Sequence, residues 1–515
     1  MKTRSHRRFY STLVLALLSI VPLLSAGSAE KPNRPIEPAI EQLKTFIKDG
    51  MRKTGVPGVA VAVVYRDKVV YLDGFGYRKA GSRARVDADT VFQLASVSKP
   101  IASTIVAALV GNGDVDWDDR IIDIDKGFEL SDPGVNAQLT IRDLLSHRSG
   151  LPTSAGDALE DLGFTRPEIL QKMRLLPLTG AFRKSYQYSN FGYTEGAIAV
   201  ANRVGERWED LARKRLFEPL GMESTSYRYS DYENAANKAA IHIIEDGKAV
   251  ARYHRDPDAE APAGSASSCV RDLAQWVRLQ LKGGRLEGRW IVAPKALEET
   301  HSPQIQRGVD QNGQPVYYGL GWNVDRDPAG NLILSHSGAF FVGAGTTVKL
   351  SPSQQLGIVV LTNALPTGLA EATANTFFDL YNDGAPTQDW LKLFSEHFKA
   401  DIEAGNNSTT DYSKLPPPSS PAPGKALATY AGTYSNSYYG QIEISEHRGS
   451  LWMRFPDTGA LYTLAHWDGD TFTYRFEAEQ AIGTRGVVFS MSGVPRVLIE
   501  NLALEGNGVF IKESR

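Results

Sequence analysis

The residues of this chain that could do chemistry begin with Ser96 and Lys99, three positions apart where an extended run gives way to an apolar helical pattern. Residues three apart share a face of a helix, so a helix that opens near Ser96 would bring the Lys99 amine to the Ser96 hydroxyl. The pair therefore predicts a nucleophile beside a base. The helix N-terminus would also favour the anionic oxygen of an attacked carbonyl and a neutral Lys99. Alone, the spacing is a weak signal, because Ser28 and Lys31 repeat it.

Two further motifs follow it along the chain. A Tyr-Ser-Asn triplet lies at 188–190 in a polar segment between predicted helices, and a His-Ser-Gly triplet lies at 336–338 at the end of a predicted strand. Similar triplets occur by chance at 434–436 and 447–449, both in the C-terminal part of the chain. Order and context favour the first copies, which run with the Ser-x-x-Lys motif through a single predicted domain.

The elements that must position these motifs follow from hydrophobic periodicity. Residues 36–54 have helical spacing, and residues 59–65 and 68–76 predict a hairpin of a partly buried sheet. Residues 96–281 are mostly helical, and the pattern then returns to strands. The later predicted elements are strands at 317–324, 332–336, 346–350 and 356–361, and a closing helix at 370–381. This order predicts one mixed sheet whose first and last segments meet around a helical subdomain.

The C-terminal part of the chain changes character. Residues 401–425 hold Asn, Ser, Thr and a dense run of Pro, which predicts an extended linker. Residues 426–515 contain short alternating strands divided by turns, which predicts a separate small all-β domain of barrel or sandwich type. Its many aromatic residues are interpreted as β core rather than as a ligand cage.

The N-terminal residues 1–29 have the composition of an export signal. Basic residues precede an apolar run at 13–24, and small residues follow it. We expect a periplasmic or secreted protein without a stable membrane anchor once the signal is cleaved; a retained N-terminal anchor is the alternative. Cys269 is the only cysteine, so no intrachain disulfide can form. A net charge of -3 without a basic stripe argues against a nucleic-acid partner.

With the three motifs in order, residues 36–381 resemble the serine β-lactamase and penicillin-binding-protein superfamily, in its class C-like branch. Flanking segments at 144–152, 217–222 and 318–322 look like recurrent segments of that family. The resemblance implies an α/β (α+β) fold over residues 30–400, with an antiparallel sheet flanked by helices plus a helical subdomain. For residues 426–515 it implies a lipocalin-like barrel.

The resemblance also implies which groups act in acyl transfer. Ser96 would attack the carbonyl, Lys99 would deprotonate Ser96, and Tyr188 would relay protons to the leaving group and the hydrolytic water. The identity of the base, Lys99 or Tyr188, stays open at this point. Both have unperturbed pKa values near ~10, so either would need a large shift to act as a base near pH 7.

The remaining implied roles concern substrate binding. Asn190 would orient the substrate amide, and the backbone N–H groups of Ser96 and Ala339, next to Gly338, would form the oxyanion hole. His336 stands where most β-lactamases of this group carry Lys in a Lys-Thr-Gly motif. An imidazole with an unperturbed pKa of about 6.5 would give a weaker, pH-dependent clamp for a substrate carboxylate.

The His-x-Gly variant resembles secreted DD-carboxypeptidases, D-aminopeptidases and related peptidases. We therefore expect an exported serine hydrolase that cleaves peptides with D-residues or modified residues. A carboxylesterase or weak β-lactamase on the same scaffold is one alternative, and a catalytically inactive binding or sensor protein is another. The partner would be a peptide or small-molecule substrate, and the resemblance leaves a homo-oligomer open. No cofactor is expected, and the histidine spacing predicts no metal site.

Overall fold

The computed structural model describes residues 34–310, 312–479 and 482–514. The predicted export signal at 1–29 lies outside these residues. Within the described part of the chain, no helix is long and apolar enough to cross a membrane.

The helices concentrate between the first two strands and the later strands of the main sheet. Two helices of 15 residues, α2 and α8, begin at the predicted sites, and shorter ones fill the region between them. In chain order they are α1 (Glu37–Thr54), α2 (Ser98–Asn112), α3 (Ile121–Ile124), α4 (Pro133–Asn136), α5 (Ile141–Leu145), α6 (Asp157–Asp161), α7 (Arg166–Lys172), α8 (Asn190–Val204), α9 (Trp208–Ala212), α10 (Glu218–Leu220), α11 (Tyr229–Asn234), α12 (Ala261–Gly264), α13 (Val270–Leu281), α14 (Pro294–Thr300), α15 (Leu369–Asn382) and α16 (Trp390–Asn407).

The strands form one large sheet, three small two-stranded pairs and a closed barrel. In the first part of the chain they are β1 (Gly58–Tyr65), β2 (Lys68–Gly76), β3 (Phe92–Gln93), β4 (Ile243–Glu245), β5 (Lys248–Val250), β6 (Ser267–Ser268), β7 (Arg285–Leu286), β8 (Arg289–Trp290), β9 (Ile305–Val309), β10 (Pro315–Tyr318), β11 (Asn323–Arg326), β12 (Leu332–Phe340), β13 (Ala344–Ser351) and β14 (Leu356–Thr362). The barrel strands are β15 (Gly432–Asn436), β16 (Gly440–His447), β17 (Ser450–Arg454), β18 (Leu461–Asp468), β19 (Thr471–Glu477), β20 (Ile482–Ser490), β21 (Arg496–Ile499) and β22 (Val509–Lys512).

The large sheet has the order β2-β1-β14-β13-β12-β11-β10-β9, and all of its pairs are antiparallel. The antiparallel sheet flanked by helices is therefore confirmed, whereas the mixed sheet expected from element order is wrong. Strand β14 pairs with β1, so the first and last segments of the domain do meet. The predicted hairpin β1–β2 turns at Arg66 and Asp67, whose φ angles of 49° and 63° suit a tight hairpin turn.

Both faces of strand β1 are buried, because helices cover the sheet on each side. Val59, Val61 and Val63 pack with α1 and α15 on one face. Ala60 and Ala62 face the opposite way, into the core shared with α2 and α13. The helical region between β2 and β9 covers this second face, so Ser96 at the start of α2 lies between the sheet and the helices.

Three sequence expectations for this domain need correction. The strand expected at 317–324 is two strands, β10 and β11, because Gly321 turns the chain with a φ of 83°. A side chain at Gly321 would also meet the hydroxyl of Tyr193 and the carbonyl oxygen of Lys99. Helix α15 does not close the unit, because α16 follows it. The linker expected at 401–425 begins inside α16, which runs to Asn407.

The C-terminal strands close into an antiparallel barrel of eight strands, in which β15 pairs with β22. The expectation of a small all-β barrel is confirmed. Tyr434, Tyr439, Phe489 and Phe510 are buried within it, as expected for β core. The segment before the barrel lies along its wall, where Arg485 donates to the carbonyl oxygen and the hydroxyl of Thr409.

Candidate active site

Ser96 lies in a tight 3-10 turn, Ala95–Val97, that leads directly into α2. The preceding Ala95 has a φ of 47°, a left-handed conformation that turns the chain sharply before Ser96. Ser98 fixes the start of the helix. Its hydroxyl donates to the carbonyl oxygen of Ala95 at 2.6 Å and accepts from the N–H of Ala266 at 2.9 Å.

Lys99 is fully buried on the first turn of α2, and its amine has three oxygen neighbours. Nζ lies 2.8 Å from Asn190 Oδ1, 3.1 Å from the carbonyl oxygen of Ala263 and 3.1 Å from Ser96 Oγ. The amide and carbonyl oxygens can only accept hydrogen bonds. In a neutral amine the two N–H groups would serve those oxygens, and the lone pair would then face the Ser96 hydroxyl.

Burial makes this neutral amine easier to reach. Burial lowers the pKa of Lys99 to about 8, although the charges of Glu260 and Asp157 oppose the shift. Burial likewise raises the pKa of the Glu260 carboxyl above its ordinary value. Glu260 accepts a hydrogen bond from Arg255 at 3.0 Å, so a buried cation compensates this carboxyl group.

Tyr188 completes the contacts of the serine, because its hydroxyl donates to Ser96 Oγ at 2.9 Å. Burial raises the pKa of Tyr188 well above its ordinary value, so its phenol keeps its proton at neutral pH. The two pKa shifts therefore have opposite directions. Lys99 is suited to accept a proton from Ser96, and Tyr188 is suited to donate one.

His147 positions the segment that carries Tyr188. Its Nδ1 accepts the backbone N–H of Ser189 at 3.2 Å, and its ring lies 4.4 Å from the ring of Tyr188. Ser189 then caps α8 by accepting from the N–H of Gly192, which leaves Asn190 as the first residue of that helix. His147 therefore has a positioning role.

His336 differs from the sequence expectation. It lies on β12, is buried, and uses both ring nitrogens: Nε2 is 2.9 Å from the Tyr318 hydroxyl, and Nδ1 is 2.7 Å from the carbonyl oxygen of Ser337. Burial lowers the pKa of His336 to about 3, so the ring is neutral throughout the physiological range. The structure does not support a pH-dependent imidazolium clamp for a substrate carboxylate.

Gly338 shows how closely β12 approaches the serine. A Cβ at this position would stand 2.1 Å from the carbonyl oxygen of Leu94 and 3.0 Å from the backbone nitrogen of Ser96. Only glycine allows this approach. The next residue, Ala339, pairs with Gly345 of β13, which holds its backbone in the sheet beside the serine turn. This arrangement is compatible with an oxyanion hole formed by the N–H groups of Ser96 and Ala339.

The sequence analysis missed an acidic residue that orients Asn190. Buried Asp157 has its carboxylate oxygens 3.3 and 3.4 Å from Asn190 Nδ2, which directs Asn190 Oδ1 to Lys99. Burial raises the pKa of Asp157 well above its ordinary value. The barrel supports this region, since the Glu505 carboxylate accepts from the N–H groups of Gly156 and Ala158 on either side of Asp157. Gly156 and Glu505 are 349 positions apart in the sequence, so no local sequence pattern predicts their contact.

A second barrel residue supports the other wall of the site. Glu479 accepts from the backbone N–H of Phe341 at 2.5 Å, in the turn that follows the strand carrying His336 and Ala339. Barrel side chains thus hold two segments that flank Ser96. Together, Ser96 and its contacts provide a hydroxyl nucleophile, an amine with a lowered pKa and a phenol donor, the groups that acyl transfer requires.

The chain is similar to known proteins over most of its length. A family model described as "Beta-lactamase" matches residues 43–380, and one described as "Domain of unknown function (DUF3471)" matches residues 416–502. The unguisins hydrolase ungD of Aspergillus violaceofuscus is 27% identical over 92% of this chain and 89% of its own length. The protein flp of Staphylococcus aureus (strain MW2) is 21% identical over 63% of each chain.

A solved structure shares the same fold. It is described as the octameric penicillin-binding protein homologue from Pyrococcus abyssi, and its similarity has a TM-score of 0.59 with 20% identity. The match covers 92% of this chain and 100% of the other. The likeness therefore extends over both the sheet domain and the barrel.

Proposed function

The chain belongs to the beta-lactamase family, whose members are serine hydrolases, and on this premise we propose that it cleaves peptide amide bonds through an acyl-enzyme on Ser96. In the proposed mechanism, neutral Lys99 takes the Ser96 proton as Oγ attacks the carbonyl carbon. The C–N bond then breaks as Tyr188 protonates the leaving amine, and the proton held by Lys99 restores the phenol of Tyr188. In the second half, water gives a proton to neutral Lys99 as it attacks the ester carbonyl, the bond between Ser96 Oγ and the acyl carbon breaks, and the proton returns to Oγ as the acid leaves.

The observation that carries the proposal is the hydrogen-bond pattern around Ser96 Oγ. Lys99 and Tyr188 contact it at 3.1 and 2.9 Å from separate elements, and the lysine N–H groups have other acceptors. Peptides with D-residues or modified residues are the substrate class we favour. The nearly full-length similarity to a hydrolase named for unguisins supports a substrate other than an ordinary β-lactam.

The neutral state of His336 further limits the range of substrates that fit the site. It provides no cation for a free C-terminal carboxylate, so internal or blocked amide bonds fit this site better than carboxypeptidase cleavage. The same observation favours uncharged esters as a second candidate class. Efficient hydrolysis of β-lactams, which carry a carboxylate, fits less well.

Covalent labelling tests the nucleophile. Intact-mass spectrometry after treatment with a fluorophosphonate should show one adduct, which peptide mapping should assign to Ser96. Ser96→Ala should lose both adduct and activity, while Ser353→Ala, at an exposed serine, should keep both. A protein that stays unlabelled, or is labelled at another serine, would rule out the proposed mechanism and favour a binding protein.

A substrate panel tests the class. We expect fast cleavage of two kinds of substrate: peptides with D-residues and a blocked C-terminus, and short acyl esters. The same peptides with a free C-terminal acid, and a chromogenic cephalosporin, should be cleaved more slowly. The reverse order would show that the site holds carboxylates by a group other than His336. If Ser96 is labelled but only esters are hydrolysed, the protein is an esterase and the peptidase proposal is wrong.

We also propose export to the periplasm or outside the cell. Its basis is the charge and hydropathy pattern of residues 1–29. N-terminal sequencing of the protein from an expressing culture should begin after residue 24 and no later than residue 30. An intact N-terminus in the cytoplasmic fraction would contradict the proposal.

A further inference from the structure

A cavity whose lining differs from the residues around Ser96 lies beside the loop that follows β2. Its volume is about 400 Å³, within the usual range of small-molecule pockets. Residues 78–84 after strand β2, strand β3, helix α11 and the segment 236–255 contribute its lining, which does not include Ser96, Lys99 or Tyr188. No step of the proposed hydrolysis uses it.

The lining of this cavity contains four cationic side chains, Arg78, Lys79, Lys238 and Arg255, and one carboxylate, Glu233. Arg255 is neutralised by its ion pairs with Glu160 and Glu260, which lie outside the lining. Glu233 already pairs with Lys238 at 3.2 Å. Arg78 donates instead to neutral oxygens, those of Ala236 and the Asn237 side chain, so its charge is not neutralised by these contacts.

The same lining residues have unused hydrogen-bonding capacity. Four buried polar atoms have no protein partner: Nε of Arg78, Oγ of Ser82, Oε1 of Gln93 and Nε of Arg255. Gln93 is 4% exposed and Arg255 is 9% exposed. Buried polar atoms in folded proteins normally find a partner, and their concentration around one cavity is typical of a site for a polar ligand.

Aromatic rings line the remaining wall. Tyr229, Tyr232 and Tyr253 contribute to the cavity, and the first two rings lie 5.9 Å apart. Such rings provide apolar contact area for a flat or aliphatic group. The geometry points to a binding site for a small organic anion, with its phosphate or carboxylate at Arg78 and Lys79 and its apolar part against the tyrosines.

Calorimetry on the full chain carrying Ser96→Ala tests this site without interference from turnover. The probes are phenyl phosphate and benzoate, with benzamide as the uncharged counterpart of benzoate. We expect one anion to bind per chain and benzamide to bind at least tenfold more weakly. Phenyl phosphate binding tighter than benzoate would identify a phosphate ligand, and the opposite order a carboxylate ligand.

Substitutions locate the bound anion. Arg78→Gln should weaken anion binding about tenfold or more, on the scale of one charge-assisted hydrogen bond. Lys79→Gln, at an exposed position that the fold tolerates, should weaken it at least threefold. Arg83→Gln, an exposed arginine of the same loop outside the lining, should change it less than twofold.

Three results would overturn the inference. They are the absence of saturable binding of either anion up to about 10 mM, equal binding of benzamide, and equal effects of Lys79→Gln and Arg83→Gln. Lys79→Gln decides the matter even if Arg78→Gln does not fold. None of these results depends on whether Ser96 is a nucleophile, so this site and the proposed hydrolysis fail or survive separately.

Discussion

Two lysines of this protein share almost the same surroundings on opposite faces of the main sheet. Burial lowers the pKa of Lys99 to about 8 and the pKa of Lys349 to about 8. Each amine donates to an asparagine oxygen, Asn190 at 2.8 Å and Asn375 at 2.6 Å. Each also lies close to an aromatic ring, 4.6 Å from the centroid of Tyr188 for Lys99 and 4.8 Å from the ring centroid of a phenylalanine for Lys349.

The two sites differ in what else the amine meets. Lys99 lies beside Ser96 Oγ, which also accepts a hydrogen bond from Tyr188. Lys349 points to the helix that covers the other face of the sheet, where the charges of Asp379 and Asp325 partly offset the effect of burial. Two hydroxyl groups of that face, those of Ser337 and Thr347, lie 3.5 Å from each other, whereas Lys349 donates to Asn375.

A lowered lysine pKa is therefore not sufficient to identify a catalytic base. Burial produces it on both faces of the sheet, because any ammonium group loses hydration there. The catalytic assignment of Lys99 instead depends on a nucleophile within reach and on acceptors that fix both N–H groups. Predictions that separate the two lysines therefore test the mechanism directly.

The largest expected difference concerns activity. Lys99→Met should lower kcat/KM about 10³- to 10⁴-fold, because it removes the group that accepts the Ser96 proton. Lys349→Met should lower it less than threefold, since its amine lies on the other face of the sheet. Steady-state kinetics on a blocked peptide or ester measures both. Equal losses in the two variants would mean that folding, and not proton transfer, limits the activity.

A smaller loss is expected when the phenol hydroxyl is removed. Tyr188→Phe keeps the ring that packs on His147 and Lys99 but cannot protonate the leaving group, so kcat should fall about 10²-fold. Tyr186→Phe is the matched control, because that ring also packs on His147. Equal rates for Tyr188→Phe and the parent would assign leaving-group protonation to Lys99 alone.

Most of the fold was predictable from local patterns. The run of Val and Ala over β1, followed by Arg66-Asp67, has the alternation and the turn of a hairpin. The split between β10 and β11 was not predictable, because a single glycine inside a strand-like pattern does not reveal its φ angle. Glycine is required at this turn, because a side chain at Gly321 would meet Tyr193 and Lys99 and its φ is positive. Helix α16 was missed because the proline-rich segment after it was taken to begin earlier than it does, so the predicted linker included the end of this helix.

The candidate site was predictable only as far as its motifs. Spacing suggested that Ser96 and Lys99 meet, but the contact with Tyr188 depends on packing over 92 residues of chain. The protonation state of His336 could not be read from its motif, because it depends on burial in the folded protein and on the nearby charge of Lys99. Glu505 gave no signal either, since its partners lie in another domain.

The pH dependence of the reaction tests the assignment of the base. The neutral form of Lys99 increases as pH rises through about 8, so kcat/KM should increase up to tenfold per pH unit below that value and level off above it. Lys349→Met should have the same profile as the parent. A rise in kcat/KM that occurs only above pH 10 would instead indicate that the Tyr188 phenolate is the base, because burial raises the pKa of Tyr188.

The smallest effect concerns stability, and there Lys349 should matter. Its pKa is about 8 when folded and near ~10.4 when unfolded, so between these values the unfolded chain binds more protons. Stability contributed by this group therefore rises with pH across that window. Urea unfolding measures this effect. Between pH 8 and pH 9.5, the free energy of unfolding should increase by about 1.5 kcal/mol less in Lys349→Met than in the parent. Lys53→Met, at an exposed position of α1, should parallel the parent. If Lys349→Met also runs parallel, the amine of Lys349 keeps its water in the folded protein, and burial alone does not lower its pKa.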